Sequence, residues 1–576
     1  MSDTILPSAV ANARETAATE CPWRAVPGVQ LQRPLPEECT ALDLFRAVPH
    51  EAAALTYFDR RIDYRELDRL SDLAAAALRG RGVGRGDRVA IVMQNTPAFV
   101  VATLAAWKLA AIAVVLNPMY RRPELVRLFA DCTPSAVFCH DDQWDAVREA
   151  AAALSPLPCV FWSSPRAGQS RDDARVLPPP AEPVPPAADS LSALLQGPVD
   201  PSFVAAAPRA DDVAVLLYTS GTTGVPKGAM LTHRSLVFNA RIAVDHFGLN
   251  GASRLFGLAP LFHVTGFELQ LVTAFAAGAS QILGYRFQPD VALDAFIEHR
   301  PTFIIGAITA FIALMSRPQA SRVHFESFHH LYSGGAPIAP AVVNAFEQRM
   351  GRSIRSSYGM TELCAPSHLA PAEGPIPVDP QSGALSIGLP VSGVDAIVVG
   401  DDGLPLPVGQ AGELLVRGPA VMAGYWRKPQ ESAEALAGGW MHTGDVGFRD
   451  EAGWFYLVDR KKDMICASGF KVWPREVEDV LYDYPGVREV AVVGAADAYR
   501  GETVLAFLSV GDGVNFDPQA LQRHCRERLA AYKCPVAFHL LPELPKTESG
   551  KITRAALAEG VRRGDLPGAP DAALSR

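Results

Sequence analysis

The tightest constraint on the fold is an alternation of two patterns that begins at Leu42. Short apolar runs rich in β-branched residues, such as RVAIVM (88–93), SAVFCH (135–140) and FIIGAI (303–308), read as buried strands. Between them lie amphipathic stretches such as YRELDRLSDLAAAALRGRG (64–82), whose apolar residues recur at helical spacing. A strand apolar along its whole length needs cover on both faces, which a mostly parallel sheet flanked by helices supplies. The expected class is therefore α/β, with a large N-terminal domain of βα-layered sheets.

The chain has 576 residues, enough for two to four folding units at roughly 150 residues each. Residues 1–40 are rich in Pro, Ala and Glu without periodicity and are expected to be a loosely packed extension. The large domain is expected over 41–460, with a Pro/Ala-rich surface excursion at 164–209 that could otherwise be read as a linker. DRKKD (459–463) carries no apolar side chain and reads as an exposed connector. Beyond it a small, mobile α+β domain is expected over 461–562, followed by a tail at 563–576. Its elements read as a helix in REVEDVLYDYP, strands in VREVAVVGA and TVLAFLSV, and a helix opened by Asp517 and Pro518.

A net charge of -9 argues against a broad electrostatic footprint for nucleic acid. The nine cysteines form no CxxC pair and no zinc-spaced cluster, which is the usage of a reducing compartment. The N-terminus lacks a basic segment followed by an apolar one, so a cytoplasmic location is expected. FVVATLAAWKLAAIAVVL (99–116) nearly reaches the length of a membrane span, but Lys108 interrupts it. We read it as a buried helix running into a buried strand; peripheral contact with a membrane surface stays open.

The chemistry centres on YTSGTTGVPKG (218–228), where glycines, hydroxyls and a lysine are gathered to hold phosphate. It is not the Gly-x4-Gly-Lys-Ser/Thr loop of nucleoside triphosphatases, because Val225 and Pro226 separate Gly224 from Lys227 and glycine follows the lysine. VAVLLY ahead of it reads as a strand and HRSLVFNARIAV after it as a helix. A glycine-rich turn between the two would let backbone N–H groups converge on an anion, aided by the hydroxyls of Ser220, Thr222 and Thr223 and the charge of Lys227. Tyr358 offers an aromatic face to a purine, Glu362 a hard oxygen ligand to Mg²⁺, and Asp445 two acceptors for a ribose diol. An ordinary turn, a solvated carboxylate or a helix cap would use the same residue types.

These motifs occur together. YTSGTTGVPKGAMLTH resembles the phosphate-loop signature of the adenylate-forming superfamily of acyl-CoA synthetases, luciferases and peptide-synthetase adenylation domains. PLFHVTG (260–266), YSGGAPI (332–338), SSYGMTE (356–362), HTGDVG (442–447), DRKKD and PKTESGKITR (545–554) are similar to its other motifs, in its order. The resemblance implies ATP held by Thr219, Ser220, Gly221, Thr222, Thr223, Gly224 and Lys227, with Gly334, Gly335 and Ala336 against the adenine. It implies Tyr358 and Gly359 at the base, Asp445 and Arg460 on the ribose, Mg²⁺ on Thr219 and Glu362, Thr361 near the α-phosphate, and His263 beside the substrate carboxylate. Lys551 would be the catalytic lysine, Lys462 a hinge, and Ser468 and Gly469 part of a loop that helps form a thioester with coenzyme A.

The implied reaction joins a small-molecule carboxylic acid to coenzyme A through an acyl-adenylate. NPMYRRPEL (117–125) and SGFKVWPREVE (468–478) look most like fatty-acid–CoA ligases of bacterial type, acting on a medium- or long-chain acid. An aryl-acid ligase, or transfer to a carrier protein, is the alternative, although no Gly-Gly-x-Ser-like attachment site follows Lys551. GAITAF (306–311) departs from the Val-Pro-Thr-like run usual in fatty-acid ligases, and Lys471 stands where Asn is common. A P-loop kinase lacks its signature here, and a non-catalytic nucleotide binder would not be expected to keep both Glu362 and Lys551.

Overall fold

A computed structural model describes residues 8–19, 38–200, 202–219, 226–460, 463–467, 470–497, 501–511, 513–514, 516–547 and 550–568. The alternating patterns resolve into two large sheets. One has six strands in the order Cys159–Ser163, Ala136–His140, Arg88–Val92, Ile112–Leu116, Val213–Thr219 and Lys227–Thr232, parallel but for the last pair. The other has nine. Its parallel centre runs Arg355–Met360, His330–Gly334, Phe303–Gly306, Arg254–Phe256, Ser280–Leu283 and Ala53–Tyr57, with antiparallel strands at both edges. Side chains from both sheets and their helices meet in one apolar core. A four-stranded antiparallel sheet, Asp395–Val399 to Phe455–Arg460, leads to the small C-terminal domain.

The apolar stretch at 99–116 divides as its sequence suggests, into the helix Pro97–Lys108 and the fully buried strand Ile112–Leu116. Lys108 is 1% exposed, and its ammonium lies 2.6 Å from carboxylate oxygens of both Asp68 and Asp72 on the helix Tyr64–Gly80. A buried lysine is tolerable because it is paired in this way. Among the described residues no helix is long and apolar enough to cross a membrane.

The excursion after Ser163 packs back onto the large sheets. Tyr57 donates to the Pro165 carbonyl at 2.8 Å, Trp162 donates to that of Pro186 at 2.8 Å, and Val176, Leu177 and Leu191 join the main core. In the small domain the helices Pro474–Tyr482 and Pro518–Arg528 cover a sheet built on Val487–Asp497 and Gly501–Val510. Asp517 caps the second helix, accepting from the N–H groups of Gln519 and Ala520.

Three expectations need correction. The phosphate loop does not run from strand to helix. Val213–Thr219 pairs antiparallel with Lys227–Thr232, so the loop closes a hairpin, and the helix His233–Phe247 starts only afterwards, capped by Thr232. KGAMLT is too short to declare itself a strand by period. Second, DRKKD is not exposed throughout: Asp459 is buried on the strand Phe455–Arg460, where the Arg554 guanidinium and the Arg475 N–H of the small domain bond to it. Third, part of the extension expected to be loosely packed is a helix, Ser8–Thr19. Its Ala18 is buried against Ile397, Val399, Leu415 and Trp440, its Glu15 pairs with Arg417 at 2.7 Å, and Arg14 donates to the Gly403 carbonyl at 3.0 Å.

Candidate active site

Parallel strands of an open α/β sheet leave a crevice at their carboxyl ends, where backbone and loops can meet a ligand. Here the ends of Phe303–Gly306, His330–Gly334 and Arg355–Met360 carry the candidate residues. A side chain at Gly334 would begin 2.5 Å from the Ser357 carbonyl oxygen, and one at Gly359 would begin 2.5 Å from that of Ala365. Both glycines are therefore demanded by close backbone approach. Gly335 has φ 77°, and a Cβ there would fall 2.5 Å from Cε and 2.7 Å from Nζ of Lys551. The catalytic-lysine candidate of the small domain thus lies directly over this glycine, with Ala336 half-buried beside it.

Two contacts hold the lysine's loop. Thr547 and Lys551 close a tight turn, the Thr547 N–H donating to the Lys551 carbonyl at 2.6 Å and the Lys551 N–H to Thr547 Oγ1 at 3.1 Å. Thr309, within GAITAF, donates its hydroxyl to the Gly550 carbonyl at 2.5 Å. His263 is close enough to Lys551 to feel its charge. Burial first, and then that charge, depress the imidazole to about 3, so it is neutral near pH 7. Its Nδ1 accepts from the Thr265 N–H at 3.2 Å, which leaves the proton on Nε2.

Asp445 and Arg460 oppose each other on the paired strands Met441–Arg449 and Phe455–Arg460. Tyr358 reaches the same place: its hydroxyl donates to Asp445 Oδ2 at 2.7 Å, and both residues are buried. Tyr358 is also set edge-on to His368. At the hairpin, Thr219 and Lys227 are register partners. Lys227 holds its ammonium 5.1 Å from the centre of the Tyr425 ring, and the Tyr425 hydroxyl donates to Glu362 Oε1 at 2.8 Å. Burial, then the Glu362 carboxylate, push that hydroxyl's ionisation far above its ordinary range. Thr361 opens the short turn Thr361–Leu363.

The structure therefore gathers Lys551, Gly335 and His263 in one group, Tyr358 and Asp445 in a second, with Arg460 opposite Asp445 by strand register, and Thr219, Lys227 and Glu362 in a third. Ser220, Gly221, Thr222, Thr223, Gly224, Lys462, Ser468 and Gly469 lie outside the described residues. Two residues were missed from sequence: Tyr425, which ties Glu362 to Lys227, and Thr309, which meets the Lys551 loop. Tyr425 sits in AGYWRKP, a stretch with no signal of its own; Thr309 lies in a run noted only for its departure.

A two-domain α/β architecture that brings a small-domain lysine onto a glycine at the end of a parallel sheet defines an adenylate-forming class of enzyme. Comparison with known proteins agrees. Residues 45–426 match the AMP-binding enzyme family, and residues 476–551 match the AMP-binding enzyme C-terminal domain. The chain is 32% identical over 529 residues to a long-chain-fatty-acid–CoA ligase of Bacillus subtilis, covering 88% of this chain and 92% of that one. It is 35% identical over 513 residues to a feruloyl-CoA synthase of an Amycolatopsis species, covering 88% and 96%. The crystal structure of ATP-bound MatB from Rhodopseudomonas palustris superposes with a TM-score of 0.81 at 28% identity, over 91% of this chain and 99% of that chain. The chain belongs to the AMP-binding enzyme family, and its reaction class is that of an AMP-forming acid–CoA ligase.

Proposed function

We propose that the protein activates a medium- or long-chain fatty acid with ATP and transfers the acyl group to coenzyme A, in the cytoplasm. The observation that carries the reading is the position of Lys551 over Gly335 and beside a neutral His263. Attack of a carboxylate oxygen on the α-phosphorus forms an acyl–phosphate bond and breaks the bond to pyrophosphate, and negative charge builds on the α-phosphate oxygens. The Lys551 ammonium stabilises that charge, and Thr361 donates to the same phosphate. A neutral imidazole at His263 can donate from Nε2 to the acid without competing with Lys551 as a second cation.

Asp445 and Arg460 hold the ribose, Tyr358 stacks on the purine with Gly359 beside it, and Gly334, Gly335 and Ala336 admit the adenine edge. The hairpin loop, with Thr219, Ser220, Gly221, Thr222, Thr223, Gly224 and Lys227, grips the phosphates that leave. Glu362 suits Mg²⁺ in its chemistry: it is a buried carboxylate, and among the described residues no group of three ligand side chains forms a protein-only cage. That is the arrangement expected of an ion held chiefly by phosphate. Bound there with Thr219, Mg²⁺ would neutralise phosphate charge. Rotation about Lys462 then withdraws Lys551 and brings Ser468 and Gly469 to the thioester step, in which the coenzyme A sulfur attacks the acyl carbon and AMP leaves.

The likeness to the Bacillus subtilis ligase favours an aliphatic acid; the higher identity to the feruloyl-CoA synthase favours an aryl acid as the second reading. A panel of aliphatic and aryl acids in ATP–pyrophosphate exchange, followed by coenzyme A ligation, decides between them. Exchange with no acid present, or with none of the panel, would overturn the ligase reading. Lys551→Ala should abolish exchange yet largely spare thioester formation from a supplied acyl-adenylate.

A further inference from the structure

The motif that delivers Lys551 ends in an arginine to which nothing above gives a role. Arg554 stands three residues after the lysine, at the start of the helix Arg554–Arg563, and its side chain is only 17% exposed. Its guanidinium is hydrogen-bonded to two carboxylates, with a third, Asp463, 3.6 Å from Nη1. Nε and Nη2 grip Glu478 at 2.8 and 2.5 Å, and Nη1 reaches Asp459 Oδ1 at 2.6 Å. The two acids belong to different bodies. Glu478 lies on the small-domain helix Pro474–Tyr482 and also accepts from the Val492 N–H of the small-domain sheet at 2.8 Å. Asp459 lies on the strand Phe455–Arg460, the last of the sheet that precedes the connector.

Asp459 is the fixed point of the contact. Its other oxygen accepts from the Arg475 N–H at 3.0 Å, and the Arg475 guanidinium donates to the carbonyls of Leu457 at 2.8 Å and Leu385 at 3.4 Å. The small domain is thus pinned to the large one around Asp459, in addition to the Thr309–Gly550 contact. A fork geometry of this kind fixes direction as well as distance, which a lysine cannot reproduce.

We propose that Arg554 is a positioning residue and that its bond to Asp459 is an inter-domain latch holding Lys551 over Gly335 for adenylation. The Glu478 half of the fork travels with the small domain; the Asp459 half is the one that must break when the domain turns. The assignment rests on the ligase reading for its catalytic meaning. Its structural content, a docked lysine loop that depends on Asp459, stands apart from that reading.

The test uses the full-length chain with Arg554→Lys and the near-isosteric Asp459→Asn, both checked by thermal melting. Two measurements are made. Without substrate, amide hydrogen exchange over 306–311 and 334–337, the surface beneath the lysine loop, should rise several-fold in both variants. With an acid from the panel, the kcat of ATP–pyrophosphate exchange should fall about tenfold or more in each variant, while thioester formation from supplied acyl-adenylate stays within about twofold. The double variant should fall no further than the worse single one. Unchanged hydrogen exchange overturns the latch even if no acid in the panel is a substrate. Equal loss of both half-reactions overturns it in favour of a merely structural ion pair. If Arg554→Lys does not fold, Asp459→Asn alone decides. A wild-type chain without pyrophosphate exchange on any acid, but with the expected hydrogen-exchange change, overturns the ligase reading and leaves the latch standing.

Discussion

Gly335→Ala separates folding from chemistry, and its size follows from two features. At φ 77° an L-residue pays about 1–2 kcal/mol for the left-handed conformation. The added Cβ would also lie 2.5 Å from Lys551 Cε, too close for any contact, so one of the two must move. The far end of a lysine moves at little cost to folding, so the loss of stability should stay near the 1–2 kcal/mol of the backbone term. The chemistry loses more. Displacing one well-placed electrostatic stabiliser typically costs about 3–4 kcal/mol of transition-state binding, or roughly 10²–10³ in rate. ATP–pyrophosphate exchange should fall by that factor, and thioester formation from saturating acyl-adenylate should keep its kcat, any clash of the new methyl with the adenine edge showing in KM alone. Because the loss in kcat acts through Lys551, the variant carrying both Gly335→Ala and Lys551→Ala should have a kcat at saturating ATP no lower than that of Lys551→Ala alone. A folded Gly335→Ala protein with exchange within about threefold of wild type would refute the reasoning, since the lysine would then work without its seat on Gly335.

Removing the cation from the buried Lys108, as Lys108→Met, leaves the partly exposed carboxylates of Asp68 and Asp72 without their shared partner and should cost about 1–2 kcal/mol, read from the urea midpoint. Tyr425→Phe deletes a hydroxyl donated to the Glu362 carboxylate; a charged hydrogen bond of this kind is worth about 1.5–3 kcal/mol. Exchange activity should then demand more Mg²⁺, and an unaltered Mg²⁺ titration would show that Tyr425 does not set the Glu362 carboxylate. Acid should unfold the chain early. Burial depresses His140, His233 and His246 to about 4 and His263 and His368 to about 3, from an ordinary 6.5. The unfolded state therefore takes up protons first, and stability falls as pH drops below about 6.5, by up to about 1.4 kcal/mol per unit for each imidazole. Asp479, pushed up to about 7 by burial, and Asp141, Asp142 and Glu268, also raised by burial, act in the opposite direction but are fewer. The urea midpoint should be clearly lower at pH 5 than at pH 7.5; equal midpoints would contradict the buried neutral state of these histidines.

Features with a local cause were legible in the sequence. The strand Ile112–Leu116 is apolar because helices cover both faces, and the helix Tyr64–Gly80 shows its period because one face meets the core. Lys108 could be read as evidence against a membrane span, though not as the centre of an ion triad, because Asp68 and Asp72 lie a helix away. The candidate site was legible where its motifs are contiguous. It was hidden where one side chain is defined by another far along the chain. Asp459 next to Arg460 looks like solvated charge until Arg475 and Arg554 arrive from the small domain. Tyr425 looks like an ordinary aromatic until it falls between Glu362 and Lys227.

The corrected hairpin bears on how the phosphate loop can work. A loop at a helix N-terminus would draw part of its anion affinity from the helix's aligned N–H groups. A loop closing a β-hairpin has no such field, so its affinity for phosphate must come from its own backbone and from side chains fixed at its base. At the base, the structure brings such side chains together. Lys227 begins the returning strand opposite Thr219, and the Tyr425 ring lies beneath the ammonium while its hydroxyl grips Glu362. One tyrosine thus touches both groups, its ring against the Lys227 ammonium and its hydroxyl on the Glu362 carboxylate, and on the proposed reading it acts as a spacer between them. Tyr425→Ala, which removes the ring as well as the hydroxyl, should therefore weaken ATP binding more than Tyr425→Phe does, by calorimetric titration. If the two variants bind ATP equally, the ring is not the spacer.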